Sequence, residues 1–306
     1  MTDTEANLQS DSSESKISKK SKLNLILRTI FHGCCSFLFV FVISWGFMIW
    51  ITMQVDDTTD DNLRYLKKLT PFFFTNWNFA FQIIFLSLSL LYDALEWLDM
   101  SGGRLATKIK YWRDVVFMGL VVPYTLFVTS MFWIVYAIDR ELVFPKVYDS
   151  VVPWWFNHCV HTNITIVVII ETLLQARRKP ADRKVELILY LFIALSYTVV
   201  YYTIYFVTGR WLYQVFGVMN WWQVCLYQLL IWGSSFAFYL IQCPINRLIH
   251  GSEDNELDLN NTTIENIQTI EKIIQNGNEN ETDLSSKNSW SLKFRDLKEP
   301  LENSRL

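Results

Sequence analysis

The sequence predicts an all-α, polytopic membrane protein: a bundle of six transmembrane helices with both termini cytoplasmic. Three observations lead there. The apolar residues are bunched into six runs of roughly 20–25 residues, the length a helix needs to cross about 30 Å of hydrocarbon. Hydrophobic residues make up 51% of the chain, with 22 Phe, 14 Tyr and 13 Trp, so a soluble or two-span fold would leave several runs in water. Basic residues also concentrate in alternate connections, the pattern of the positive-inside rule.

In chain order, residues 1–22 are Ser-, Asp- and Lys-rich and are expected to be a disordered cytoplasmic leader. Residues 23–249 form the expected membrane domain, with spans near Phe31–Val55, Pro71–Tyr92, Val115–Ile138, Val152–Leu174, Val185–Val207 and Trp221–Ile245. Lys16, Lys19, Lys20, Lys22 and Arg28 precede the first span. Arg104, Lys108, Lys110 and Arg113 follow the second, and Arg177, Arg178, Lys179, Arg183 and Lys184 follow the fourth. The first connection is mixed, with Asp56, Asp57, Asp60 and Asp61 beside Arg64, Lys67 and Lys68, so it is expected on the lumenal or exterior side. Residues 250–306 read as a disordered polar cytoplasmic tail, where Ile264, Ile267, Ile270 and Ile274 could form a transient amphipathic helix. In that tail the sequons at Asn260, Asn261 and Asn280 are not expected to be glycosylated. The first apolar run is too long, and starts too late, for a cleaved signal peptide. The five cysteines form no disulfide framework; Cys34 and Cys35 read as buried small residues or as palmitoylation sites.

Two intramembrane motifs carry the functional signal. Polar groups in hydrocarbon are costly, so a cluster of them marks a candidate site. Thr75, Asn78 and Gln82 share one face of the second span, and the other face (Phe73, Phe79, Phe81, Phe85) is apolar. His158, His161 and Thr165 make the corresponding stripe in the fourth span, preceded by Asn157. Both stripes fall in the outer half of the bilayer. A threonine hydroxyl and an imidazole are the minimum parts of a nucleophile and its general base. Structural readings compete: a membrane Thr ordinarily bonds the carbonyl four residues back, and a His facing a bundle is often only packed. His158 and His161 could also bind a metal, but no third ligand accompanies them, and four His are too few for a di-iron site. No metal and no cofactor is expected. Gly233-Ser234-Ser235-Phe236-Ala237 is one residue short of a nucleophile elbow and reads as small-residue helix packing.

At these residues the chain resembles the androgen-induced and androgen-dependent TFPI-regulating protein family. The resemblance runs from about Phe72 to Gly217. It is carried by Arg113-Asp114, Phe132-Trp133-Ile134, Tyr136, Asp139-Arg140-Glu141, Pro145-Lys146, Pro153, Trp155, Asn157-His158, His161-Thr162, Thr208-Gly209, Trp211 and Tyr213. It implies a multi-pass threonine hydrolase that cleaves fatty acid esters of hydroxy fatty acids, with Thr75 as nucleophile and His161 as the catalytic His. The register through Asn78 and Gln82 argues against Thr70. One departure is that Phe72-Phe73 stands where a Trp-Lys pair is usual.

The resulting expectation is a Thr75–His161 dyad, with Asn78, Gln82, Asn157 or His158 as supporting or oxyanion groups. No carboxylate lies in the outer half of span four to orient His161, and Glu171 is near the opposite end. A substrate carboxylate could rest near Lys67, Lys68, Arg140, Lys146 or Arg210, which read equally as interfacial anchors. The expected partners are the bilayer and a branched lipid ester, not nucleic acid. The expected location is the endoplasmic reticulum or the plasma membrane. A lipid transporter with a polar intramembrane path, or a regulatory scaffold without chemistry, are the competing functions.

Overall fold

A computed structural model describes residues 3–56, 58–177 and 183–251, with side chains from residue 22 onward. The tail expectations, including the Ile264–Ile274 helix and the sequons, lie outside the described residues, apart from His250 and Gly251. The chain divides after Ile249, and the helical bundle belongs to the first unit, Met1–Ile249.

The unit is all-α. Its helices are α1 (Asp3–Thr52), α2 (Asp61–Leu69), α3 (Phe74–Trp97), α4 (Arg104–Val116), α5 (Val122–Ile138), α6 (Trp154–His158), α7 (Ile164–Leu174) and α8 (Lys184–Thr208). The last, α9, is Trp221–Gly251. Six helical stretches are long and apolar enough to cross a membrane: Lys22–Thr52, Asp61–Trp97, Arg104–Ile138, Trp154–Leu174, Lys184–Thr208 and Trp221–Gly251. The first three begin well before the apolar runs do, at Lys22, Asp61 and Arg104 rather than Phe31, Pro71 and Val115. Arg28 and Arg113 sit inside these helices because carboxylates neutralise them, a compensation that hydropathy alone does not register. The backbone of α1 starts at Asp3. Extending an existing helix requires no new nucleation.

The third stretch is central. In Arg104–Ile138, 72% of the most apolar window is buried, against 17% in the first, fifth and sixth, which present residues such as Phe37, Leu195 and Leu229 outward. One apolar core joins α1, α3, α5, α7 and α8 around Phe39, Phe85, Val121, Ile164 and Tyr190. On α3, Phe79, Phe81 and Phe85 belong to this core and do not face lipid, because neighbours surround the helix on more than its polar side.

Two π-helical turns interrupt the bundle. Pro123, in the first turn of α5, has no N–H to offer the carbonyl of Gly119. The chain widens over Phe117–Val121, and the Val122 N–H reaches back to the Phe117 carbonyl. Gly119 lies against α8 so closely that an added Cβ would sit 3.1 Å from the Glu186 carbonyl oxygen. The second π turn, Cys159–Asn163, contains His161; such turns recur at functional sites.

The first, third and fifth connections meet at one end, here the loop end. Tyr65 Oη donates to the Arg210 carbonyl, and Arg210 donates to Asn62 Oδ1 at 2.6 Å. Gly209, with φ of 69°, ends α8 in the left-handed conformation glycine adopts readily and turns the chain into this loop.

The opposite, charged end holds a buried ion network. His32, Asp93 and Glu171 are each 0% exposed. His32 Nδ1 lies 2.6 Å from Asp93 Oδ2, and Nε2 lies 2.9 Å from Glu171 Oε2. Arg28 donates to Asp93 and Glu96, and Arg177 pairs with Glu171 and Asp114. The network ties α1, α3, α4 and α7 together. Among the described residues, no group of three or more His, Cys, Asp or Glu is arranged to hold a metal ion. Cys34, Cys35, Cys159 and Cys225 are free thiols; Cys35 is buried and Cys34 exposed.

Candidate functional site

Thr75 is the second residue of α3, and this position decides what its hydroxyl can do. Four residues back is Pro71, in the 3₁₀ turn Thr70–Phe72, so no helical carbonyl is aligned behind it. Thr29, Thr52, Thr70, Thr198 and Thr208 all bond the carbonyl four residues back. Thr75 Oγ1 has no hydrogen-bond partner among the described residues. Thr70, by contrast, is occupied by the Leu66 carbonyl at 2.6 Å.

His161 lies in the π turn between α6 and α7 and is 8% exposed. Its ring stacks on Phe132 with centroids 3.6 Å apart and planes 7° from parallel. Its Nδ1 is buried without a hydrogen-bond partner, so among the described residues no carboxylate orients it. Glu171 is committed to His32 and Arg177 at the charged end.

Thr75 and His161, from different spans, line one cavity enclosing about 970 Å³, its open mouth included. The wall is almost wholly apolar and aromatic, supplied by α3, α5, α8, α9 and the fifth connection.

The supporting candidates lie elsewhere. Asn78 and Gln82 are 0% exposed and outside the lining. Gln82 Nε2 donates to Thr125 Oγ1 at 2.9 Å and to the Ile164 carbonyl at 3.2 Å, and Thr125 donates to Asn78 Oδ1 at 3.1 Å. They form a brace between α3, α5 and α7, although Asn78 Nδ2 and Gln82 Oε1 remain without partners. Asn157 is buried outside the cavity lining. His158 is exposed, stacks on Trp133 and bonds Thr162 Oγ1 at 3.2 Å. The expected His158–His161–Thr165 stripe is therefore split. The wider π turn moves His158 and His161 apart, and Thr165 Oγ1 bonds Thr129 Oγ1 at 2.6 Å. Of the basic residues, Arg140 is held by Asp149, Arg210 by Asn62 and Lys67 by the Met53 carbonyl. Lys68 and Lys146 make no side-chain bond among the described residues.

Several lining residues were not assigned to the site by the sequence reading, which took Ser235 as small-residue helix packing. Ser235 accepts from Tyr190 Oη at 3.0 Å on the cavity wall. Tyr197 and Tyr213 line the cavity and reach the start of α3: Tyr213 Oη accepts from the Phe74 N–H at 2.9 Å, and Tyr197 Oη donates to the Phe72 carbonyl at 3.2 Å. Burial raises the Tyr213 phenol above its ordinary range, which keeps it a neutral hydroxyl. Tyr213 stood within the family-like motif, but only the folded chain brings it to residue 74.

Comparison with known proteins identifies the family. The human androgen-dependent TFPI-regulating protein is 34% identical over 143 residues, 47% of this chain and 61% of the relative. The corresponding protein of Mesocricetus auratus is 33% identical over 169 residues, 55% and 72% of the two chains. The human androgen-induced gene 1 protein is 30% identical over 146 residues, 46% and 61%. The chain thus spans about three fifths of the length of the human relatives it matches. No solved structure matches it. The profile of the FAR-17a/AIG1-like proteins matches residues 35–247, which contain both Thr75 and His161, and the chain belongs to that family.

Proposed function

We propose that this protein is an intramembrane hydrolase that cleaves the ester bond of fatty acid esters of hydroxy fatty acids, with Thr75 as nucleophile and His161 as general base. The observation that carries the reading is that both groups line one cavity and neither makes a protein hydrogen bond there. In an apolar medium a polar group without a partner is costly, and a ligand's polar atoms would relieve that cost.

His161 takes the Thr75 proton as Oγ1 attacks the ester carbonyl. The tetrahedral centre collapses, the bond to the hydroxy fatty acid breaks, and the imidazolium returns its proton to the leaving alkoxide. Water then attacks the threonyl ester with His161 again as base, releasing the fatty acid and restoring the hydroxyl. Stacking on Phe132 holds the imidazole plane, which serves a dyad with no carboxylate. The oxyanion lies near the positive end of the α3 dipole, where the first-turn N–H of Thr75 is a donor.

The wide aromatic cavity suits a substrate whose ester joins two acyl chains below the head-group layer. With both termini cytoplasmic, as the basic connections favour, the loop end faces the lumen or exterior. Lys68 or Lys146 would then meet the substrate carboxylate at the interface.

The test is hydrolysis of a branched hydroxy-fatty-acid ester in membranes carrying wild type, Thr75→Ala or His161→Ala at equal protein level. Activity in wild type and its loss in both variants supports the dyad. Equal rates in all three would make the two residues packing groups and favour a scaffold or transporter.

A further inference from the structure

The nucleophile sits at a helix start, the part of a helix least constrained by its own hydrogen bonds. Residues 72–74 lead into it and have no side-chain cap: the N-cap is Phe73, whose side chain accepts nothing. The Phe73 N–H and Asn76 Nδ2 both donate to the Thr70 carbonyl within the chain's own turn. Two tyrosine hydroxyls from outside the span fix its remaining polar groups. The Phe74 N–H donates to Tyr213 Oη at 2.9 Å, the two phenolic oxygens are 2.9 Å apart, and Tyr197 Oη donates to the Phe72 carbonyl at 3.2 Å. The directions are consistent throughout. Tyr213 accepts from Phe74 and donates to Tyr197, which donates to Phe72, so each hydroxyl uses its one proton once.

We propose that Tyr197 and Tyr213 are positioning residues whose hydroxyls form a strap across residues 72–74 and thereby aim the Thr75 hydroxyl into the cavity. The strap consumes the Phe74 N–H, leaving the Thr75 N–H as the first-turn donor beside the nucleophile. Its far side is anchored independently of α3. Tyr197 belongs to α8, while Tyr213 is in the loop that Gly209 turns and that Tyr65 and Asn62 hold through Arg210. The rings also pack on the same turn, Tyr197 on Phe74 at 4.5 Å between centroids and Tyr213 on Phe73 at 5.6 Å. Replacing either Tyr by Phe therefore removes the hydroxyl and keeps the packing.

The inference rests on the hydrolase reading, and the experiment separates the two. Full-length wild type, Tyr213→Phe, Tyr197→Phe and Thr75→Ala are compared in detergent for thermal midpoint, ester hydrolysis, and covalent labelling by a fluorophosphonate. In that labelling Thr75 Oγ1 attacks phosphorus, fluoride leaves, and the proton passes to His161. The expected result is a fall of about ten- to a hundredfold in kcat and labelling rate for both Phe variants, since small misplacements of reacting groups cost that much. KM should stay within about twofold, because the rings remain in the cavity wall, and any fall in the melting midpoint should be too small to account for the lost rate. A strap acting only on stability would move the midpoint and leave the rate per folded molecule unchanged, overturning the proposal. Wild-type rates in both Phe variants, with Thr75→Ala inactive, would overturn the strap alone. A wild type that neither hydrolyses nor labels would overturn the hydrolase reading, and the strap with it.

Discussion

The two ends of the bundle treat buried polar groups in opposite ways. At the charged end, every carboxylate of the network meets a cation: Asp93 meets Arg28 and His32, Glu171 meets His32 and Arg177, Glu96 meets Arg28, and Asp114 meets Arg113. At the loop end, Thr75 and His161 share an apolar cavity and the hydroxyl and Nδ1 are unpartnered. Desolvation is costly in both places. One end offsets its carboxylates with cations inside the protein, the contribution expected of a brace, although Arg113 Nη1, Arg177 Nη1 and Arg183 Nη2 remain without hydrogen-bond partners there. The other leaves it to be offset by a ligand, which is the arrangement expected of a site.

The sharpest way to break the contrast is at the cavity. Thr75→Ala or His161→Ala should lower ester hydrolysis by about a thousandfold, within the range assigned to a positioned base, while the melting midpoint barely moves. A variant that keeps its rate but melts early would show that the loop end, too, is only bracing.

The converse holds at the charged end. Glu171→Gln removes a fully buried charge from between His32 and Arg177 and should destabilise the fold by about 3–5 kcal/mol, read by chemical or thermal unfolding in detergent. A variant as stable as wild type but inactive would move that network from bracing to function.

Between the extremes lies the Asn78–Thr125–Gln82 brace. Gln82→Leu should cost about 0.6–1.7 kcal/mol of stability, the measured scale for hydrogen bonds between membrane helices, with a small effect on rate. A hundredfold drop in kcat at normal stability would instead place Gln82 in the chemistry. The smallest effect is expected at His158, exposed and outside the cavity: His158→Ala should change neither rate nor stability by more than about twofold in the corresponding constant.

Much of the architecture was legible because hydrocarbon imposes a simple rule on length and polarity. Six apolar runs become six membrane-long helices; intramembrane polarity marked the stripes that hold Thr75 and His161, and the family resemblance picked those two residues out of them. The boundaries near Arg28 and Arg113 were misplaced because hydropathy counts a charge without its partner. Asn78 and Gln82 were correctly placed on an inward face, yet facing inward did not reveal whether they meet a cavity or Thr125 and Ile164. His158 was expected beside His161 because α-helical spacing was carried through a turn that is π-helical. Tyr197 and Tyr213 were beyond reach, since nothing in residues 197 or 213 indicates that their hydroxyls meet residues 72 and 74.

The sequence by itself determined the six apolar spans and the family likeness and named two candidate side chains, because each depends on composition, local periodicity or motif. Only the tertiary structure decided which polar groups are satisfied and which face empty space. That follows from distances between helices far apart in the chain and from the phase shifts at two π turns, and neither is encoded in any local window of residues.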